Sequence, residues 1–431
     1  MIYYSLNKKA PSVSFKEALI RGLAPDRGLY FPSKIEKLPD SFFENINALS
    51  INEIAYSAIS SFVKDEIPKR ELNKIISETL EFDFPIIQIN DNISTMELFQ
   101  GPTLAFKDVG ARFMARCLGY FNQGNKNQKI TVLVATSGDT GGAVADGFLG
   151  VEGVNVVILY PKGKVSEIQE KQLTTLGQNI TSLEVEGSFD DCQEMVKTAF
   201  LDEEIKKYIK LTSANSINIA RWLPQMFYYF FAYRELKKIK KPIVISVPSG
   251  NYGNICAGML AKKMGLPIDH FIASTNINDV VPRYLSTNTY DPKAPTQTIS
   301  NAMDVGDPSN FIRIQKIHEN NFEKLKLNLS GYRFTDEQTI NGLKEIYMKS
   351  KYIADPHGAI GYLGLKDYLE KNKNKYGLFM ETAHPVKFLK IVEETLGVSI
   401  PIPNRIKRIL TKKKKSIQIS NFTQLKESLL K

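Results

Sequence analysis

The feature that most limits the possible folds of this 431-residue chain is a set of short apolar runs separated by helical stretches. Three runs rich in β-branched residues occupy positions 130–135, 154–160 and 242–247. Continuous apolar strands that alternate with helices are typical of parallel sheets covered by helices on both faces. The chain is therefore predicted to be an α/β protein.

The first part of the chain follows a different pattern. Apolar residues recur at three- and four-residue spacing in segments 51–62 and 68–80, and Ser14 opens a third helical pattern that includes Glu17. This pattern predicts a mostly helical N-terminal unit at residues 1–92. We expect a catalytic α/β region at 93–395, with the aromatic stretch 227–233 in its core, and a C-terminal tail at 396–431 that packs on it.

Charge and composition narrow the possible partners. Lys and Arg number 56 against 46 Asp and Glu, and the net charge of +10 favours anionic partners. The chain begins without a secretory signal pattern, and no apolar run approaches the roughly 20 residues of a membrane helix. The three cysteines and four histidines lack the spacing of metal ligands. We therefore predict a cytoplasmic protein without a structural metal, whose Lys412–Lys415 run is solvated surface and no nucleic-acid site.

Two glycine-containing loops are candidate anion sites. Residues 249–254 (SGNYGN) and 136–142 (TSGDTGG) each lie between a predicted strand and a predicted helix that begins near 255 or 143. Glycines let the backbone approach a ligand closely, and the N-terminus of a helix favours an anion. We expect both loops at the carboxyl edge of one sheet, forming a shared anion site. The alternative is that both are ordinary turns; neither has the sequence of an ATP or dinucleotide loop.

A third segment, 101–108 (GPTLAFKD), contains a candidate reactive lysine. Lys107 is flanked by Leu104, Ala105 and Phe106, and Asp108 is the expected N-cap of a helix. An apolar pocket disfavours the charged ammonium and makes a neutral amine available for a Schiff base. The alternative is a surface lysine at the start of a helix.

These three segments, in this order and spacing, resemble the pyridoxal-phosphate enzymes of fold type II, in particular the threonine synthase family of the long bacterial and fungal kind. Four more segments carry the resemblance, at 13–32, 159–173, 215–225 and 382–388 (TAHPVKF), so that it covers nearly the whole chain. It implies pyridoxal 5'-phosphate as cofactor. It also implies two parallel-sheet α/β/α domains joined to a mostly helical N-terminal unit.

The resemblance assigns cofactor contacts residue by residue. Lys107 would form the Schiff base, Asp139 would lie near the ring and its 3-hydroxyl, and the Thr382 hydroxyl would face the pyridine nitrogen and leave it largely unprotonated. The phosphate would be held by Gly250, Asn251, Tyr252, Gly253 and Asn254. Glu381, beside Thr382, is expected to point away from the ring.

It also implies a substrate and a reaction, the conversion of O-phospho-L-homoserine and water to L-threonine and phosphate. The family positions near the substrate carboxylate correspond by this resemblance to Thr103, Ser137 and Thr140. The family positions near the substrate phosphate correspond to Lys164, Asn215 and Arg221. A monomer or homodimer is expected.

Three other functions stay open at this point. A phospho-lyase acting on the same substrate would release 2-oxobutyrate, ammonia and phosphate. A non-catalytic protein could bind the cofactor or a phosphate without turnover, although it would not need a Schiff-base amine. A basic nucleic-acid-binding protein is the weakest of the three.

Overall fold

The N-terminal part of the chain combines four helices with a small antiparallel sheet. The computed structural model describes residues 1–123 and 129–431. The first elements are β1 (Tyr3–Ser5), α1 (Phe15–Arg21), β2 (Tyr30–Pro32), α2 (Asp40–Asn45), α3 (Ile51–Val63) and α4 (Lys69–Thr79). The Ser14 side chain accepts the N–H of Glu17, and Ser50 forms a reciprocal capping box with Glu53. The predicted helices of this unit are therefore confirmed.

Two larger sheets make up the rest of the fold. Their strands are β3 (Ile86–Asn90), β4 (Ile93–Glu97), β5 (Ile130–Ala135), β6 (Val154–Pro161), β7 (Ile180–Val185), β8 (Lys210–Ser213), β9 (Ile243–Pro248), β10 (His270–Thr275), β11 (Leu329–Arg333), β12 (Tyr376–Glu381) and β13 (Ile417–Ile419). One sheet has the order β11-β10-β9-β12-β4-β3, and the other has the order β13-β7-β6-β5-β8. All neighbours in these two sheets are parallel except β3 and β4.

Helices cover both sheets. They are α5 (Lys107–Asn122), α6 (Asp139–Phe148), α7 (Glu167–Thr174), α8 (Phe189–Leu201), α9 (Glu203–Tyr208), α10 (Ile219–Trp222), α11 (Phe227–Leu236), α12 (Gly253–Lys263), α13 (Val280–Thr287), α14 (Phe311–Ile317), α15 (Phe322–Lys326), α16 (Asp336–Ser350), α17 (Pro356–Lys371), α18 (Leu389–Leu396), α19 (Asn404–Leu410) and α20 (Phe422–Leu430). Strands β5, β9, β10 and β12 are buried along their whole length. This burial explains why the predicted strands read as continuous apolar runs.

The N-terminal unit shares its core with the α/β region. The rings of Phe31 and Trp222 stack with centroids 5.9 Å apart, and the Arg313 guanidinium lies 4.4 Å from the Trp222 ring centroid. Helix α11, which carries the aromatic stretch, packs against α3, and most of its side chains are buried. The expected core position of this stretch is confirmed, and the apolar contacts hold the two parts together.

Two predictions about the strand-to-helix loops are wrong. Loop 136–142 follows β5 and loop 249–254 follows β9, so the loops lie on two different sheets rather than on one edge of a single sheet. Helix α6 begins at Asp139, inside the loop, because Gly138 makes the turn with φ of 142°. Only a glycine adopts such a conformation readily.

The C-terminal tail is attached to the five-stranded sheet. Strand β13 pairs in parallel with β7, and α20 packs on α8 and α9. Lys414, expected on the solvated surface, is half-buried and bridges Glu170 and Glu184 at 2.7 and 2.6 Å. Across the described residues, no helix is long and apolar enough to cross a membrane.

Candidate active site

Lys107 lies beside the end of the central strand β12. The Phe106 N–H donates to the Thr382 carbonyl at 2.9 Å, and the His384 N–H donates to the Leu104 carbonyl at 3.1 Å. Leu104 adopts a left-handed conformation with φ of 62°, which bends the chain just before α5 begins. These contacts fix the predicted lysine against the TAHPVKF segment, 275 residues further along the chain at Thr382 (382 − 107).

The Lys107 amine has no partner of its own. In the part of the chain that the structure describes, its Nζ makes no hydrogen bond or ion pair, and it lies 5.6 Å from the centroid of the Phe106 ring. Burial lowers the pKa of the Lys107 ammonium, and although Asp139 opposes this, the positive charges of Lys387 and Arg221 lower the pKa further. This environment favours the neutral, nucleophilic amine.

Asp108 is not the N-cap that the sequence predicts, because α5 begins at Lys107 and places Asp108 in its first turn. The Asp108 carboxylate instead accepts the Thr103 hydroxyl and, at 2.9 Å, the Thr103 N–H. Thr103 is 3% exposed. The Thr103 hydroxyl proton is therefore donated to Asp108 in the turn before Lys107 and is not available to a substrate in this arrangement.

Loop 249–254 presents a row of free backbone donors. The N–H groups of residues 250–254 have no acceptor among the described residues. Tyr252 adopts a left-handed conformation with φ of 60°, and α12 starts at the next residue. Several N–H groups that converge at the start of a helix form an anion site.

The side chains of this loop add a further donor. Tyr229 donates its hydroxyl to Asn254 Oδ1 at 2.8 Å, whereas Asn254 Nδ2 is buried and has no partner among the described residues. Asn251 Oδ1 accepts from the N–H and hydroxyl of Ser309 at 3.3 and 3.2 Å. A buried polar nitrogen without a partner is costly, so the Asn254 amide is suited to a bound anion.

The second loop is built around Thr136. Its Oγ1 accepts the N–H groups of Gly138 and Gly141 at 3.0 and 2.9 Å. The N–H groups of Ser137, Asp139 and Thr140 have no acceptor in the described chain, and they lie at the start of α6. This loop is therefore a second site suited to an anion, on the other sheet.

Asp139 joins the two sheets through a residue that the sequence analysis missed. Lys387, in the short 3₁₀ helix after β12, donates from Nζ to Asp139 Oδ1 at 2.7 Å, and Gln169 donates to the same oxygen at 2.9 Å. Burial alone would raise the pKa of the Asp139 carboxyl, but the ammonium groups of Lys387 and Lys107 outweigh burial and hold it below its ordinary value. The TAHPVKF segment contains Lys387, yet nothing in its local sequence indicates this distant partner.

Arg221 is a buried cation rather than a surface residue. It is 3% exposed, and burial lowers its pKa to about 10, so the guanidinium stays charged at neutral pH. Its Nη1 donates to the Ala214 carbonyl at 2.5 Å, whereas its Nε and the nearby Asn215 Oδ1 have no partner among the described residues. Lys164 lies on the exposed loop after β6.

Thr382 and Glu381 occupy different environments. Glu381 Oε1 accepts the Asp355 N–H at 2.6 Å, and a Cβ at Gly358 would lie 1.6 Å from Glu381 Oε2, so the side chain packs against the start of α17. Burial and the charge of Asp355 raise the pKa of Glu381 well above its ordinary value, which favours its neutral form. Thr382 is 7% exposed and follows directly after β12.

Sequence and structure comparisons place the chain in a family. Residues 2–80 match the family "Threonine synthase N terminus", 91–379 match "Pyridoxal-phosphate dependent enzyme" and 358–428 match "Threonine synthase, C-terminal". The chain is 44% identical to threonine synthase of Haemophilus influenzae over 436 residues, with 100% of both proteins covered. It is 43% identical to threonine synthase of Escherichia coli (strain K12), with 94% of each covered.

Solved structures agree. The crystal structure of threonine synthase from Escherichia coli superposes with a TM-score of 0.93 at 40% identity and covers 100% of this chain and 99% of that one. The crystal structure of pyridoxal-phosphate-bound threonine synthase from Brucella melitensis superposes with a TM-score of 0.92 at 33% identity, covering 100% and 98%. The fold is therefore fold type II, and the chain belongs to the threonine synthase family of pyridoxal-phosphate-dependent enzymes.

Proposed function

We propose that Lys107 is the residue through which this chain converts O-phospho-L-homoserine and water to L-threonine and phosphate. The observation that carries the proposal is a buried amine that has no hydrogen-bond or ion-pair partner among the described residues and that interacts electrostatically with the buried Asp139 carboxylate. A simple phosphate-binding protein has no need of such an amine, and a buried lysine with a lowered pKa is suited to both nucleophilic and proton-transfer roles.

The residues of the site fit pyridoxal phosphate. Lys107 would hold the cofactor aldehyde as a Schiff base, and the free N–H groups of residues 250–254, with Asn254 Nδ2, would hold its phosphate. Thr382 would contact the pyridine nitrogen, and Asp139 would lie near the ring hydroxyl. When bound, the cofactor supplies an electron sink that stabilises negative charge on the substrate carbons.

Lys107 is the proposed proton carrier of the reaction. Its neutral nitrogen would be placed to remove the proton at Cα of the bound substrate and to carry protons at Cβ and Cγ. The positive charges of Lys387 and Arg221 disfavour protonation of this nitrogen, whereas Asp139 favours it. Burial and these two positive charges together lower the pKa of Lys107, which favours the neutral amine that can accept a proton.

The two ends of the substrate are proposed to bind on the two sides of Lys107. The free N–H groups at the start of α6, with the hydroxyls of Ser137 and Thr140, are suited to the carboxylate. Arg221, Asn215 and the exposed Lys164 are suited to the phosphate, where the charges of Arg221 and Lys164 would stabilise the negative charge that develops as phosphate leaves.

A product assay tests the reaction directly. Purified protein loaded with pyridoxal phosphate is incubated with O-phospho-L-homoserine, and threonine, phosphate and 2-oxobutyrate are measured in parallel. We expect equal amounts of threonine and phosphate. Equal amounts of 2-oxobutyrate and phosphate without threonine would instead identify a phospho-lyase.

Gly250 provides a test of the proposed phosphate cradle. A Cβ at this position would lie 2.5 Å from the Ala302 carbonyl oxygen and 3.0 Å from Met303 Cα, both backbone atoms. Gly250→Ala is therefore expected to shift the loop and raise the Kd for pyridoxal phosphate by about tenfold or more, the loss of roughly one hydrogen bond to a charged group. Absorbance titration measures the Kd. Gly119→Ala, whose Cβ would meet only a Val151 methyl at 3.3 Å, is the control, and an unchanged Kd for Gly250→Ala would contradict the cradle.

Three further expectations belong with this proposal. We propose the division into 1–92, 93–395 and 396–431 as domains, a cytoplasmic location, and a monomer or homodimer. Limited proteolysis tests the domain boundaries, cell fractionation tests the location, and sedimentation equilibrium tests the oligomeric state.

A further inference from the structure

Lys387 is a buried lysine to which the proposed reaction assigns no contact with the substrate or the cofactor. Its side chain is 0% exposed and that of Asp139 is 6% exposed, and their atoms Nζ and Oδ1 lie 2.7 Å apart. No other Lys– or Arg–carboxylate pair in residues 1–123 and 129–431 has both side chains less than 10% exposed. Because two charges lose their hydration when they are buried, such a pair adds little to the stability of a fold. Its position therefore calls for an explanation in terms of the site.

The pair joins the carboxyl ends of two sheets. Asp139 is the first residue of α6, after β5 of the five-stranded sheet, and Lys387 lies shortly after β12 of the six-stranded sheet. Lys107 is attached to the same end of β12 through the Phe106 N–H and the Thr382 carbonyl. Both lysines are thus held near the same end of β12, and both interact electrostatically with the Asp139 carboxylate.

Only one of these two lysines pairs with the carboxylate. Asp139 Oδ1 receives Lys387 and Gln169, whereas the Lys107 amine makes no ion pair with any described carboxylate. A lysine paired with a carboxylate is held in its charged form, which is not nucleophilic. Asp139 is thus paired with Lys387, and Lys107 is the lysine that has no carboxylate partner among the described residues.

We propose that Lys387 is a positioning residue of the reaction, which occupies Asp139 and so leaves the Lys107 amine neutral and free to bond to the cofactor aldehyde. The proposal rests on the proposed role of Lys107. It assigns different tasks to two lysines that lie in one pocket.

The charged groups around Lys107 fix the sign of the expected effect. Asp139 and Asp355 raise its pKa, whereas Lys387 and Arg221 lower it, and burial lowers it most. Loss of the Lys387 charge removes one lowering contribution and frees Asp139 to pair with Lys107. Both changes act in the same direction, so the Lys107 pKa rises and the neutral amine forms only at higher pH.

The first test uses the full chain loaded with pyridoxal phosphate. The absorbance of the Schiff base is titrated with pH in the unsubstituted protein and in Lys387→Met, Lys387→Arg and Lys390→Met. Lys390 is exposed on α18, so Lys390→Met controls for replacement of a lysine by methionine outside the site. We expect the midpoint to move to higher pH in Lys387→Met, and to stay near the unsubstituted value in Lys387→Arg and Lys390→Met.

The second test does not depend on the cofactor. After pyridoxal phosphate is removed with hydroxylamine, the full chain is treated with an amine-acylating reagent, and modification of Lys107 is quantified by mass spectrometry across a pH series. We expect labelling near pH 8 to slow on the order of tenfold in Lys387→Met, which corresponds to a tenfold smaller neutral fraction. Lys387→Arg should restore the rate.

The outcomes separate this proposal from the proposed function. Unchanged midpoints in both tests would overturn the role of Lys387, even if Lys107 carries the reaction. A shifted labelling midpoint in Lys387→Met would support the electrostatic role of Lys387. A Schiff base that persists when Lys107 is replaced would refute the role of Lys107 as the cofactor lysine, and the two results can occur together. If Lys387→Met does not fold, Lys387→Gln, which can still donate to Asp139 without the charge, is measured in its place, and an unshifted midpoint would likewise overturn the proposal.

Discussion

Replacement of Lys107 by alanine is expected to abolish both the Schiff-base absorbance of bound pyridoxal phosphate and the formation of threonine. The amine is the proposed attachment point of the cofactor and the proposed proton carrier, so one substitution removes two functions. General acid–base catalysis alone contributes about 10²- to 10⁴-fold, and we expect turnover to fall by more than about a thousandfold.

The neighbouring lysine is not expected to take over. Lys387 is buried, and its Nζ donates to Asp139 at 2.7 Å, so this nitrogen is already engaged with a carboxylate. Lys107→Arg, which keeps a positive charge but cannot form a stable Schiff base, should be as inactive as Lys107→Ala. This comparison separates loss of the amine from loss of the charge.

Absorbance spectra and a threonine assay measure these effects, with Lys413→Ala as the control, because Lys413 is exposed in the C-terminal tail. Lys107→Ala should still bind the cofactor phosphate weakly through loop 249–254, and its circular dichroism spectrum should match that of the unsubstituted chain. Retention of either the Schiff-base absorbance or threonine formation in Lys107→Ala would overturn the assignment.

Much of the fold could be predicted because local patterns determine it. Segment 51–62 was predicted as helical and α3 spans Ile51–Val63, since its apolar spacing and its capping box define the same helix. Strand β5 has the bounds of the apolar run at 130–135. Local patterns do not predict which strands pair with each other, because strand pairing can join distant residues. The pairing of β13 with β7, for example, joins residues more than 200 positions apart.

The candidate site likewise contains residues that local motifs predict and residues that only tertiary packing brings together. Lys107 and loop 249–254 stand in short motifs whose residues are proposed to bind a single ligand, and motifs of this kind can be recognised from sequence. The Lys387–Asp139 pair spans 248 positions and depends on how two sheets face each other. Similarly, Asp108 looked like a helix cap, but the left-handed turn at Leu104 starts the helix earlier and turns the carboxylate toward Thr103.

Arg221 also illustrates the limit of sequence patterns. Its position beside Trp222 is compatible with an exposed or a buried side chain, and only the packing of α10 against α5 and the contact with Gly110 show that it is buried. A Cβ at Gly110 would lie 2.7 Å from the Arg221 carbonyl oxygen and 3.1 Å from its Nε. Glycine at this position thus allows the close approach of the two helices.

Replacement of Arg221 by methionine is expected to raise the KM for O-phospho-L-homoserine by about 10- to 100-fold, because one hydrogen bond to a charged group contributes about 1.5–3 kcal/mol. Methionine keeps an unbranched apolar side chain in the buried position and removes only the charged end. We also expect a lower kcat, since the cation would stabilise the charge on the departing phosphate. Arg221→Lys should recover part of the loss, because lysine restores the charge without the paired donors of a guanidinium.

Steady-state kinetics with the phosphorylated substrate, together with inhibition by inorganic phosphate, distinguish a binding role from a structural one. If Arg221 binds the phosphate group, the inhibition constant for phosphate should rise in parallel with the KM, whereas the Kd for pyridoxal phosphate should stay unchanged. Arg70→Met, at an exposed position on α4, is the control for loss of an arginine elsewhere. An unchanged KM in a folded Arg221→Met protein would show that the buried guanidinium supports only the Ala214 carbonyl, and the substrate phosphate would then have to bind elsewhere in the site.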